Sequence, residues 1–255
     1  LNKKGFKKGR SQSGNFAMFY GILLDYSINY LNNSKNLFFL DEWCKEHLNN
    51  INQFGFWGNF SDMTYLQFQN GFHQYILLDY LNKNKFDKNQ MAENIIKLID
   101  IRGQFAPYPG GGGCYDYDAV YLITRADKKY IKKNEKIIKK IFYSIIELQN
   151  ENGGFAESLY VRPRNIKNFI NFLKHIYLSP NSSVRLEKIR YFISLYRSKH
   201  NKIHNHWTIK GYKWEEPNLW DSWFRVMSIA NIDNSLKISN LKWNSINFPG
   251  IGNTL

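Results

Sequence analysis

Apolar positions recur at three- and four-residue spacing through most of the chain, the period of helices that bury one face. Phe16, Phe19, Tyr20, Leu23, Leu24, Ile28 and Leu31 predict a helix over 16–31, and Leu37, Leu40, Trp43, Cys44 and His47 a second over 37–50. The same spacing predicts helices over 65–82, 87–101, 115–126, 132–149, 166–177, 184–198 and 220–232. No alternation of apolar and polar residues is long enough to organise a sheet. The expected class is therefore all-α: one domain over 1–255, ending in a polar, irregular tail over 233–255.

The predicted helices are separated by turns that repeat. Gly55-Phe56-Trp57-Gly58, Gly103-Gln104-Phe105 and Gly153-Gly154-Phe155 punctuate the chain, and the glycines at 55, 103 and 154 step by 48 and 51 residues. Trp207 to Trp214, leading into Asn218-Leu219-Trp220-Asp221, reads as a fourth copy. A period of this length marks stacked helix hairpins that share a core. Hairpins of this kind either stack as a solenoid or close into a ring of inner and outer helices. The 115–126 and 220–232 helices are apolar on most faces, which places them inside. An α/α toroid (incomplete α/α barrel) is the expected architecture. A complete ring takes more than the four or five hairpins here, so a further N-terminal portion is expected.

In that arrangement equivalent helix starts meet. His73, Asp118 and Asp221 are separated by 45 and 103 residues, close to one and two repeats, and are expected to line one site with Asp116. Four glycines, Gly110 to Gly113, precede Cys114-Tyr115-Asp116-Tyr117-Asp118; they allow close backbone approach but lack the spacing of a phosphate loop or dinucleotide fingerprint. Residues i and i+2 point about 200° apart on a helix, so both aspartates serve one site only if the helix begins between them. Asp118 is the expected cavity acid, and His73 a general base or a group that polarises a substrate oxygen.

Composition changes the picture in two ways. Aromatic residues make up 17% of the chain, enough to line a cavity with rings as well as fill a core. The formal charge is +14, but the basic residues are spread, with clusters at Lys3 to Arg10 and Lys128 to Lys140, and read mainly as solvated surface. They form no stripe with interleaved aromatics, so nucleic acid is not an expected partner. Two cysteines, Cys44 and Cys114, build neither a disulfide framework nor a zinc cluster, and a reducing, cytoplasmic setting is expected. No apolar run reaches the roughly 18 residues of a membrane span, leaving peripheral contact as the expected mode of any membrane association.

Leu148-Gln149-Asn150-Glu151-Asn152-Gly153-Gly154-Phe155 resembles the glutamine–aromatic turn of the terpenoid cyclase and protein prenyltransferase superfamily, with weaker copies at Gly55 and Gly103. The resemblance implies the α/α toroid over about 16–232 and an aromatic central cavity. Proton-initiated cyclases of that superfamily carry an Asp-x-Asp-Asp acid motif; the matching segment here is Asp116-Tyr117-Asp118-Ala119, with Ala119 in the fourth place. The prenyltransferases hold zinc with an Asp two residues before a Cys, where this chain has Gly112 before Cys114. His73, Cys114 and Asp116 are ligand types, but no metal is expected and no cofactor is required by the sequence.

Tyr115, Tyr108, Tyr117, Trp220 and Trp223 are the expected substrate-binding rings. Trp220 and Trp223, three apart, share a helix face. Glu215 and Glu216 read as loop carboxylates. Arg10, Arg125, Arg162 and Arg164 are candidates for an anionic group, and His204 and His206 for a weak metal site. Three functions follow: acid–base chemistry on an isoprenoid-like substrate, hydrolysis or lysis of a polysaccharide, or non-catalytic binding of a partner protein or lipid carrier.

Overall fold

The computed structural model describes residues 13–58, 61–83, 86–161, 166–197, 202–203, 211–244, 247–248 and 252–253. Ten helices carry these residues: α1 (Ser13–Asn29), α2 (Asn36–Asn49), α3 (Tyr65–Tyr80), α4 (Lys88–Ile96), α5 (Gly113–Thr124), α6 (Lys128–Lys133), α7 (Glu135–Ile146), α8 (Ile166–Tyr177), α9 (Ser182–Arg197) and α10 (Leu219–Leu236). Strand among the described residues is confined to two antiparallel two-residue pairs. β1 (Lys202–Ile203) pairs with β2 (Tyr212–Lys213), and β3 (Asn247–Phe248) with β4 (Gly252–Asn253). The all-α class is thus met.

Local signals place the helix starts. The Thr64 hydroxyl accepts from the Gln67 amide at α3, Asp87 accepts from Gln90 at α4, and Asn218 accepts from Asp221 at α10. Each satisfies an amide that the first turn leaves free. Two boundaries differ from expectation. The helix expected over 132–149 is two elements, because Asn134 both closes α6 and opens α7. The last helix runs past Asp233 to Leu236 before Lys237 turns left-handed.

Three turns between helices share one hydrogen-bond pattern. Asn52, Asp100 and Asn150 each donate their amide to the carbonyl four residues on, and accept at their own carbonyl from the amide three residues on. The third residue after each is a glycine at positive φ: Gly55, Gly103 and Gly153. Gly153, not Gly154, is therefore the repeat equivalent, and the steps are 48 and 50 residues. In the first two copies the side chain completes the turn: Asn52 Oδ1 accepts from Phe54 and Phe56, Asp100 Oδ1 from Arg102 and Gln104. The aromatics that follow, Trp57, Phe105 and Phe155, are all buried.

Packing puts α1, α3, α5 and α10 side by side in that order. α2 lies against α1, α4 against α5, and α7 against α10. Glycines bring α1 onto α3: a Cβ at Gly14 would sit 2.1 Å from the Asn70 carbonyl oxygen, and one at Gly21 would sit 2.3 Å from Leu77 Cδ2. One core of Phe56, Phe68, Phe72, Ile76, Val120, Ile138 and their neighbours runs through these helices. A smaller cluster of Ala106, Tyr108, Val161 and Trp214 closes the end where the glycine run lies.

Candidate functional site

The glycine run enters α5 through Gly112, an extended residue that begins the helix without a side-chain cap. Its neighbours leave no room for side chains. A Cβ at Gly111 would lie 2.3 Å from Asp116 Oδ2, one at Gly112 2.6 Å from Glu157 Oε1, and one at Gly113 2.5 Å from Asp221 Oδ1. The run is therefore needed because three carboxyl groups crowd its backbone.

α5 begins at Gly113, before both aspartates, so Asp116 and Asp118 turn to different surroundings. Asp116 is fully committed. Its Oδ1 accepts from the Phe105 amide at 2.7 Å, and its Oδ2 pairs with the buried Arg225 guanidinium. Burial still pushes its pKa up to about 7, against the lowering effect of Arg225. Arg225 Nη2 also donates to the Glu157 carbonyl at 2.9 Å, tying α10 to the loop after the third turn.

Asp118 is the opposite case. Its side chain is 2% exposed and forms no hydrogen bond or ion pair among the described residues. Burial alone holds its carboxyl well above the usual carboxylate range.

Glu157 was not singled out by sequence reasoning. It follows the third turn by two residues, Phe155-Ala156-Glu157, and no charge pattern marks it. It accepts from the Tyr108 hydroxyl, and its Oε1 crowds Gly112 where Asp221 Oδ1 crowds the next residue, Gly113. Burial first, then the neighbouring Asp221 carboxyl, drives its pKa well above the usual range. Asp221 Oδ2 takes a 2.6 Å bond from Asn218 Nδ2, whereas its Oδ1 has no hydrogen-bond partner.

Cys114 opens α5 one helical turn before Asp118. Burial raises the thiol pKa most, and the Glu157, Asp118 and Asp221 carboxyls push it the same way. Gln69 Nε2 on α3 reaches its Sγ at 3.9 Å. His73 lies one helical turn beyond Gln69, as Asp118 lies one turn beyond Cys114. Its Nδ1 is enclosed without a partner, and burial lowers its pKa to about 4, leaving the ring neutral. By position along their helices, Asn70 corresponds to Asp118, both sixth residues, and His73 lies three residues deeper.

The expected rings divide into two groups. Tyr108 and Tyr115 meet edge-on at 6.2 Å, and Tyr108 continues to Tyr191 at 4.8 Å and Trp214 at 5.3 Å, forming a wall beside Glu157. Tyr117 is buried on the other side of α5, against Phe72, Tyr121 and Phe224. Trp220 and Trp223 are half-buried and both pack on Phe224, at 4.8 and 4.9 Å. Arg125 is spent on Asp79 and the Tyr121 ring. Arg10, Arg162, Arg164, His204 and His206 lie outside the described residues. No group of three or more His, Cys, Asp and Glu among the described residues is placed to hold a metal.

No family model, no curated protein and no solved structure matches this chain.

Proposed function

We propose that the chain is an acid–base enzyme built on an arc of an α/α toroid, akin to the terpenoid cyclases and prenyltransferases, with Asp118 as proton donor. The observation that carries this reading is Asp118, buried on α5 one helical turn after Cys114, with its carboxyl held well above the usual carboxylate range. A carboxyl group held neutral at pH 7 in apolar surroundings is poised to give up its proton to a substrate it touches. On an olefinic substrate the Asp118 O–H bond breaks, a C–H bond forms, and positive charge develops on the adjacent carbon. Ring faces such as those of Tyr115, Trp220 and Trp223 suit that charge. A proton is then lost from a neighbouring carbon to neutral His73 or to the Glu157–Asp221 pair. Asp116 is a positioning residue, holding α10 on α5 through Arg225. The acid that Ala119 lacks has its counterpart in Glu157 and Asp221, supplied from other segments.

A polysaccharide-active reading has one observation in its favour, the wall of Tyr108, Tyr115, Tyr191 and Trp214 beside two acids. The toroid, the cytoplasmic setting and an isoprenoid or glycan substrate all belong to this proposal.

The test is to incubate the purified protein with linear polyenes and prenyl diphosphates, and separately with neutral and acidic polysaccharides, reading products by mass spectrometry. Conversion of an isoprenoid that falls at least about 100-fold in Asp118→Asn, with the melting curve intact, supports the proposal. Conversion of glycans alone moves the assignment to the second reading. Conversion of neither class leaves a binding module and overturns both.

A further inference from the structure

The α8–α9 hairpin carries apolar residues on the side that faces away from the core. On α8 they are Ile166, Ile170, Leu173 and Tyr177, and on α9 Leu186, Ile189 and Ile193, all between 36% and 74% exposed. The steps are four, three and four on α8, and three and four on α9, the spacing of a coiled-coil seam. At 100° per residue each seam is straight and about 60° wide. The opposite side of α9 carries a second stripe at the same spacing, Val184, Lys188, Tyr191 and Leu195, and this one packs inward. A helix striped on two sides is built to lie between two layers, and among the described residues only the inner layer is present. Singly exposed apolar residues need no explanation, but two neighbouring seams mark a contact surface.

Charge and shape say what fits there. A short turn joins the two helices, and the Phe172 and Phe192 rings hold them together at 4.7 Å, so the seams run side by side and leave a groove between them. The exposed charged side chains described on the hairpin are Lys174, Arg185 and Arg190, all cationic. At 100° per residue Arg185 and Arg190 lie about 70° to either side of the α9 seam, and Lys174 about 70° from the α8 seam. The one acid of the hairpin, Glu187, is half-buried and accepts from the Tyr65 and Leu66 amides. Of the acids on segments packed against the hairpin, Asp62 accepts from Ser183, and Asp100 and Glu157 are buried. In the loop after β2, Glu215 is half-buried and Glu216 accepts from the Lys213 amide. A second copy of this face would therefore set cations against cations, which disfavours self-pairing. The seams are also narrower than the roughly 100° stripe of an ordinary amphipathic helix. A helix with acidic flanks meets both conditions: its apolar residues fill the groove, and its carboxylates meet the three cations.

We infer that the outer groove of the α8–α9 hairpin docks an acidic amphipathic helix of a partner protein, one whose apolar residues step by three and four and whose flanks carry Glu or Asp. This surface does not depend on the acid–base reading.

The experiment is fluorescence anisotropy of two labelled helical peptides titrated with the whole chain. Both carry Leu at the heptad seam; one has Glu at the flanking positions and the other Lys. Light scattering on the protein alone and co-sedimentation with phosphatidylserine vesicles accompany it. The Glu-flanked peptide should bind at least about tenfold tighter than the Lys-flanked one, and its binding should weaken at about 0.5 M salt. An Ile170→Ser/Leu186→Ser variant should lose about tenfold or more in affinity for it. An Arg185→Glu/Arg190→Glu variant should reverse the preference between the peptides. Both variants should melt like the parent, because the changed side chains are exposed. Failure to bind the Glu-flanked peptide overturns the inference, and so does equal binding of the two peptides. Undiminished binding by the Ile170→Ser/Leu186→Ser variant overturns it too, since charge alone would then be responsible. A dimer that this variant dissociates, or vesicle binding that it abolishes, with no peptide binding in either case, would give the face to a second copy or to lipid instead.

Discussion

At the scale of single residues, two aspartates two positions apart behave oppositely because the helix turns them about 200° apart. Asp116 holds a buried cation, and removing it leaves Arg225 charged and unpaired in the interior. Asp116→Ala should therefore cost about 3–5 kcal/mol, read by urea denaturation. Asp118 holds nothing, so Asp118→Asn should fold at least as stably as the parent. The sign of its pH dependence follows from the raised pKa. Above the ordinary value of 3.8 the unfolded chain releases this proton while the folded chain keeps it. The contribution of Asp118 is thus fully present below that value and is lost as pH rises toward the folded pKa. The stability of the parent relative to Asp118→Asn should fall with rising pH from about 4, by up to about 1.4 kcal/mol per pH unit. A gap that stays constant with pH would mean Asp118 is not held neutral. The sequence pointed to Asp118 and Asp221 through their helix starts, but it did not reveal Glu157 or Arg225. Those two reach the site from a loop and from the second turn of α10, a meeting set by long-range packing that no local pattern carries.

At the scale of elements, the repeat was legible because the turn is a local object. Asn or Asp, two residues, then glycine encodes its own hydrogen bonds, which is why the period emerged from the sequence even though one copy was read a residue late at Gly154. The ambiguity came from adjacent glycines at 153 and 154, of which only the first has positive φ. The break at Asn134 was hidden because the apolar stripe of α7 runs on in phase with Ile131. The turns also sort by what surrounds the glycine. Gly153 has open space where a Cβ would go, whereas at Gly55 it would lie 2.7 Å from Met91 Cγ. Gly153→Ala should cost only the backbone term, about 1–2 kcal/mol. Gly55→Ala adds overpacking of about 1–3 kcal/mol, and thermal melts of the two variants should separate accordingly. Equal losses would mean Met91 swings aside freely.

At the scale of the whole molecule, the α8–α9 hairpin meets the rest through partly buried polar groups as well as through apolar contacts such as Val184 and Tyr191. Glu187 on α9 accepts from the Tyr65 and Leu66 amides at 3.1 and 3.0 Å, serving as the cap of α3 from 121 residues away. Beside it Asn181 Nδ2 donates to the Met63 carbonyl at 2.9 Å and Ser183 to Asp62 at 2.7 Å, while the buried Lys188 ties the two helices of the hairpin through the His175 carbonyl at 2.9 Å. Such a joint fails when one member leaves its partners unsatisfied. Glu187→Ala strips two helix-start amides of their acceptor and should cost about 1–3 kcal/mol. The loss should be local first: hydrogen exchange at Tyr65 and Leu66 should quicken before exchange in the core of α5. Glu187→Gln retains acceptor capacity and should lose less. Burial raises the Glu187 pKa to about 7 from an ordinary 4.5. The folded chain therefore keeps this proton where the unfolded chain has released it, and the parent's stability relative to Glu187→Gln should decline as pH rises from about 4.5 to about 7. If exchange at Tyr65 and Leu66 were unchanged in Glu187→Ala, the hairpin would be held by its apolar contacts, Phe172 and Val184 among them, and the polar joint would be incidental.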